Sequence, residues 1–143
     1  MRTLEWVLRV GLFGEFLGHG YFAFAQSPNF VTLITNSTGL PDETALTLLR
    51  LIGSVDFVVA FLAIAYPFRA LAIYAAMWGM LTGLSRPLSG MHLMDFVERW
   101  PNWAVPLALF FVLQLRVQRA KADAALPTSG LAVPRQQTVV AND

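Results

Sequence analysis

Four stretches of mostly apolar residues, each about the 20 residues a helix needs to cross a bilayer, follow one another along the chain. They run from Leu4 to Ala25, Glu43 to Tyr66, Phe68 to Leu88 and Asn102 to Arg119. A segment of that length buries its backbone polar groups in hydrocarbon only as a helix. Composition agrees: 56% of the 143 residues are hydrophobic and 13% are charged, against roughly 45–50% and 25% in soluble domains. The expected fold is all-α, an integral membrane four-helix bundle over residues 1–121. Residues 122–143 turn to Ala, Pro, Ser, Thr and Gln without a helical stripe, the signature of a disordered polar tail.

Proline and charge set the connections. Pro67 leaves a very short turn between the second and third spans, and Asp42 after Pro41 offers an N-cap for the second. Pro101 stands before the fourth helix, and Pro106 falls early in it, where a proline does least harm. The first span begins on Met1-Arg2 and ends on "AFAQ", as a signal peptide could. Arg9, Glu15 and His19 interrupt its apolar run, so it is expected to be retained. Loop one, Gln26 to Asp42, has no Lys or Arg, whereas Arg2, Arg69, Arg116, Arg119 and Lys121 lie at the other side. The positive-inside bias then makes both termini cytoplasmic, in a multi-pass protein of the inner membrane. Arg86 and Arg99, near loop three, run against that count. "NFVTLITN" in loop one and "HLMDFVERW" in loop three are too short to span and read as interfacial helices.

Two spans carry GxxxG spacing, Gly14–Gly18 ("GEFLG") and Gly79–Gly83 ("GMLTG"), where small residues let helices pack closely in lipid. Gly11 joins the first face and Ala72 and Ala76 the second. Gly53, Asp56, Ala60 and Ala63 form a small face on the second span. The fourth has Gln114 and no small stripe, which marks it as the lipid-facing member. The ionisable residues share the small faces. Glu15 and Asp56 lie near the middle of their spans, with His19, Arg50 and Arg86 toward the outside and Arg9 toward the inside. A charge at the bilayer centre costs at least about 2.5–3.5 kcal/mol, so these groups are expected to pair, titrate or line a wet cavity. Arg9, Glu15 and Asp56 form the expected ion-pair cluster, with Arg9 reaching for Asp56.

Such an inward cluster has two readings. One is structural, with the charges fixing helix register, His19 a satisfied interhelical donor and Trp78 part of the core. The other is a quinone or lipid site in the outer half, made by His19, Arg50, Trp78 and Arg86. A quinol head needs a hydrogen-bond partner at each oxygen. An imidazole titrates near neutrality and can serve one, while Glu15 or Asp56 can relay a proton; Trp78 or Tyr21 can stack on the ring. The chain has no cysteine and two histidines, His19 and His92, so no metal or haem is expected. HExxH, P-loop, dinucleotide and nucleophile-elbow motifs are lacking too. A net charge of +1 gives no reason to expect nucleic acid as a partner.

The chain resembles the DoxX-like (DoxX/DoxD) family of small four-helix membrane proteins. The resemblance rests on "VLRVGLFGEFLGHGYFAF", where Arg9, Gly11, His19 and Gly20 match the family's opening pattern. It continues through Gly39-Leu40-Pro41, Gly53 and Asp56 (Asp where Glu is commoner) and Arg69 in "YPFRALAIYAAM". It covers about Leu4 to Leu88. Tyr21, Phe22 and Ala23 stand where many relatives have a lysine, so no role of that lysine transfers. The resemblance implies a subunit of a larger respiratory or redox complex, of the thiosulfate:quinone oxidoreductase type, which contributes to a quinone site. The alternative is a non-catalytic subunit that scaffolds such a complex. In either case the expected partners are other membrane subunits or further copies of the chain, and lipids.

Overall fold

The structure, a computed structural model, describes residues 2 to 125. These residues form six helices and no strand: α1 (Arg2–Phe24), α2 (Pro28–Thr38), α3 (Asp42–Ala65), α4 (Arg69–Leu88), α5 (Leu93–Glu98) and α6 (Pro101–Ala125). The four long helices are the four apolar stretches, and the two short ones occupy loops one and three. The polar tail lies outside the described residues from 126 onward. Residues 122–125, read as its start, are instead the last turn of α6.

Helix boundaries follow local chemistry. Gly39 ends α2 in the left-handed conformation, φ 74°, and its N–H donates to the Thr35 carbonyl at 2.8 Å; glycine holds that conformation without a Cβ clash. Asp42 is not the N-cap of α3. Pro41, extended at φ −68° and ψ 153°, takes that place with no side-chain bond. Asp42 and Glu43 instead occupy the first turn, where their charge complements the helix dipole. Pro101 is the first residue of α6 rather than its predecessor, a position where a missing N–H costs nothing.

The long helices associate as two close pairs, α1 with α3 and α4 with α6, joined mainly where α1 meets α6. Leu12, Phe16, Val59, Ala60, Ala63, Leu71, Ala72, Ala75, Leu109 and Leu113 form the buried core between them. The fourth long helix is therefore a full core member, with Pro106, Leu109, Val112 and Leu113 buried. Its lack of a small stripe does not keep it at the periphery, because its partner α4 supplies the glycines.

Glycine makes both pairs possible, though not everywhere the spacing suggested. A Cβ on Gly53 would meet the Phe24 amide nitrogen at 2.5 Å and the Gly20 carbonyl oxygen at 2.7 Å, so α1 and α3 touch backbone to backbone. Gly79 receives the Asn102 carbonyl of α6 in the same way. Pro106, four residues on, has no N–H to offer that carbonyl, which is why it is free to face α4. Gly83 seats the Phe96 ring of α5. Gly14 and Gly18 have nothing within 4 Å of a Cβ. The two glycines of "GEFLG" thus pack against no helix, and the seam glycine of α1 is Gly20.

The outer faces also carry large apolar side chains. On α3, Leu51, Val55, Val58 and Phe61 all point outward, Phe61 at 61% exposure, and α4 shows Ile73, Met77, Leu81 and Leu84. By length and composition, one helix among the described residues, α3, is apolar enough to cross a membrane. The other three long helices fall short of that apolar mean. Arg9, Glu15 and His19 lower it in α1, Arg86 and two glycines in α4, and Gln114 with Arg116 in α6.

The seam makes a sharp expectation. Gly53→Leu would force a side chain into immovable backbone, and such overpacking costs about 1–3 kcal/mol or more. Gly14→Ala enters open space and gains about 0.5–1 kcal/mol of helix propensity. Thermal unfolding followed by circular dichroism is expected to show a large loss for the first and none for the second.

Candidate binding cavity and its polar walls

The ionisable residues sort into two groups at opposite ends of the core. At one end Arg9 donates from Nε to the Ala63 carbonyl at 3.1 Å and from a terminal nitrogen to the Ile64 carbonyl. These carbonyls belong to the last turn of α3, so a cation here also meets the negative end of the helix dipole. Arg9 lies 3.6 Å from Glu5 one turn earlier and 3.9 Å over the Trp6 ring. Arg116 of α6 approaches the same Glu5 oxygen at 3.5 Å. Arg69 donates to the Gln114 Oε1 at 2.7 Å nearby. The expected Arg9–Glu15–Asp56 cluster does not form. An arginine two turns before Glu15 reaches the free carbonyls at the end of α3 instead of climbing to the middle of that helix.

At the other end a cavity of about 300 Å³ opens between α1, α2, α3, α4 and the start of α6. Glu15, His19, Asp56, Trp78 and Arg86 all line it, so five residues singled out from the sequence come together. Arg50 does not. It is exposed on α3 and lines neither this cavity nor its neighbour. Tyr21 is likewise exposed and away from both.

Asp56 is 3% exposed, its Oδ1 has no hydrogen-bond partner, and no cation among the described residues stands within ion-pair distance of it or of Glu15. Trp78 lines the same cavity and stacks on Tyr74 with rings nearly parallel at 6.4 Å. Gly20 permits this arrangement, since its α-carbon lies where a Cβ would meet the Asp56 Cβ at 3.1 Å. His19 Nδ1 is 3.0 Å from the Glu15 carbonyl. A carbonyl only accepts, so Nδ1 carries the proton and Nε2 remains as an acceptor when the ring is neutral. Phe30 of α2 covers the imidazole, ring centres 6.2 Å apart.

Arg99 and Asn102 are among the lining residues that escaped the sequence reading. Arg99 ends α5, and its Nε is buried without a partner. A signal for it existed. Arg86 and Arg99 are the cations that defy the charge bias of loop three, and both are drawn in to the cavity. The same residues, with Gly14, Gly18, Asn29, Thr32, Asn36 and Ser89, continue into a wider and more polar space of about 850 Å³ beneath α2. Gly14 and Gly18 thus form the floor of this vestibule rather than a helix contact. Among the described residues no group of three or more His, Cys, Asp or Glu could hold a metal ion. No protein-family model, curated protein or solved structure matches this chain.

A carboxylate oxygen left buried without a partner costs about 1–3 kcal/mol or more. If Asp56 is kept for a ligand rather than for stability, Asp56→Leu, which leaves no polar atom unpaired, is expected to raise the stability of the ligand-free protein by roughly that amount. Denaturant titration measures it. A clear loss of stability would assign Asp56 to structure.

Proposed function

We propose that the protein is a multi-pass membrane protein of four spanning helices, both termini cytoplasmic, in which the cavity holds the head of a quinone-type amphiphile. The cavity carries this reading. It is mostly apolar, has room for one aromatic ring, and joins two carboxyls, an imidazole, an indole and two arginines. Ligand sites characteristically combine an apolar lining with a few convergent polar groups. His19 Nε2 and Asp56 would meet ligand oxygens, Trp78 would flank the ring, and Glu15 would pass a proton toward the vestibule.

The membrane part is supported by the outward stripes of Leu, Val, Phe and Met on the long helices, since soluble monomers rarely expose such contiguous apolar area. At about 1.5 Å per residue, the 24 residues of α3 span about 36 Å, enough for a core of about 30 Å. In this setting α2 and α5 would lie at the outer interface, with Trp100 as an anchor. In keeping with its DoxX-like features it would act as a subunit, with electrons supplied by a partner. A scaffold subunit is the second reading, and the bond from His19 to a backbone carbonyl favours it, because structural histidines are satisfied in that way.

His19→Ala separates the two. A quinone site is expected to lose binding of a short-tailed ubiquinone analogue by about tenfold or more while assembly is kept. A scaffold would lose assembly alone. Topology is checked independently: cysteines placed at Thr38 and at Asp123 are expected to label from opposite sides of the membrane, and same-side labelling would rule out four spans.

A further inference from the structure

Arg86 and Arg99 border the wide polar vestibule beneath α2 as well as the cavity. Both are half-buried. Arg9, Arg69 and Arg116 each have a partner in the bundle. Among the described residues Arg86 and Arg99 pair with no carboxylate, not even Asp95 or Glu98 of the neighbouring α5. A guanidinium that has lost part of its water without gaining an anion is costly. Nε of Arg99 is enclosed; the terminal nitrogens of Arg99 and the whole Arg86 guanidinium, equally unbonded, are not. Glu15 is the one acidic residue lining the vestibule. Two arginines therefore leave an excess of positive charge there, whatever the protonation of Glu15 and His19. Above them Asn29, Thr32 and Asn36 recur at spacings of three and four, so one face of α2 roofs the space with amides and a hydroxyl. Phe22 and Met91 line it too and stay largely exposed, an apolar strip toward the outer face of the bundle.

We infer that the vestibule is a phosphate site, and that the phosphate it takes belongs to the headgroup of an anionic phospholipid such as phosphatidylglycerol. This rests on the membrane-spanning part of the proposed function and not on the quinone. In that reading α2 and α5 lie at the outer interface, within the headgroup layer that flanks the hydrocarbon core. Arg86 and Arg99 hold the phosphate oxygens, which the guanidinium fork matches in shape and charge. The amides of Asn29 and Asn36 meet the hydroxyls of the headgroup glycerol. Phe22 and Met91 run beside the first carbons of the acyl chains. A phosphocholine head offers the same phosphate, but it brings a quaternary ammonium toward two guanidiniums and has no hydroxyl for the amides.

The test is displacement of a fluorescent phosphatidylglycerol from the purified full-length protein in neutral detergent. The competitors are dioleoyl phosphatidylglycerol, dioleoyl phosphatidylcholine, and glycerophosphoglycerol, which is the head without its chains. Phosphatidylglycerol is expected to compete at least about tenfold better than either of the others. Arg86→Gln combined with Arg99→Gln is expected to abolish that preference, and Arg119→Gln, which removes a cation from the opposite end of the bundle, to keep it. Equal competition by the two lipids overturns the phosphate site and leaves the four spans untouched; this arm uses the unaltered protein and decides the matter whether or not the double variant folds. A preference that survives in the folded double variant overturns it as well, because the lipid then sits on the basic cytoplasmic end. Glycerophosphoglycerol competing as well as the intact lipid assigns the vestibule to a soluble anion and overturns the lipid source. Recovery of the chain in the soluble fraction of cells without detergent overturns the membrane reading, and the lipid with it.

Discussion

Backbone contact between α1 and α3 is the constraint from which the rest of the arrangement follows. Gly20 and Gly53 face each other with no side chain between them, and this sets the two helices at a distance no other pair of residues allows. At that separation Asp56, one turn beyond Gly53, has no route outward and is enclosed. The same seam aligns the end of α3 with Arg9, so a cation on α1 finds the unbonded carbonyls of Ala63 and Ile64. The second pair repeats the device in another form. Gly79 of α4 accepts an α6 carbonyl that Pro106 has left without its helical donor.

Closeness within the pairs leaves space between them. α3 and α4 follow each other through a tight turn yet make little contact, and the gap is where the cavity lies. Its walls come from five helices, α1 to α4 and α6, and its charged groups are ones that could not have been left facing hydrocarbon. An interior filled with leucine would be more stable, because a carboxyl without a partner is a liability in a core. Asp56, Glu15, Arg86 and Arg99 stand around unfilled volume, which is what the proposed binding site requires.

Much of this was legible in the sequence. The 20-residue apolar runs located the four long helices, because hydrophobic length is a one-dimensional property. The inward placement of Asp56 followed from its spacing to Gly53, Ala60 and Ala63 along one helix face. Pairing across helices was not legible in that way. Arg9 lay at a plausible depth for Asp56, but side-chain reach competes with nearby backbone acceptors, and only the packed geometry shows that the α3 carbonyls are nearer. Gly14 and Gly18 carried the right spacing for a helix contact, yet spacing does not say whether a second helix is present. Arg99 sat in a loop whose path back to the core could not be read from composition.

The polar knot of Glu5, Arg9 and Arg116 lies at the end of the bundle away from the cavity, and its position has a mechanical consequence. Charge-assisted contacts bind α1, α3 and α6 at one end, while the other end encloses empty volume. Such a body would work as a pair of tweezers, in which the bound end is the pivot and a small rotation there would become the largest displacement at the open end. A molecule lodged between the tips would brace them apart and hold them in register at once. Occupancy of the hollow end would then be communicated to the outer surface through the spacing of the helices themselves.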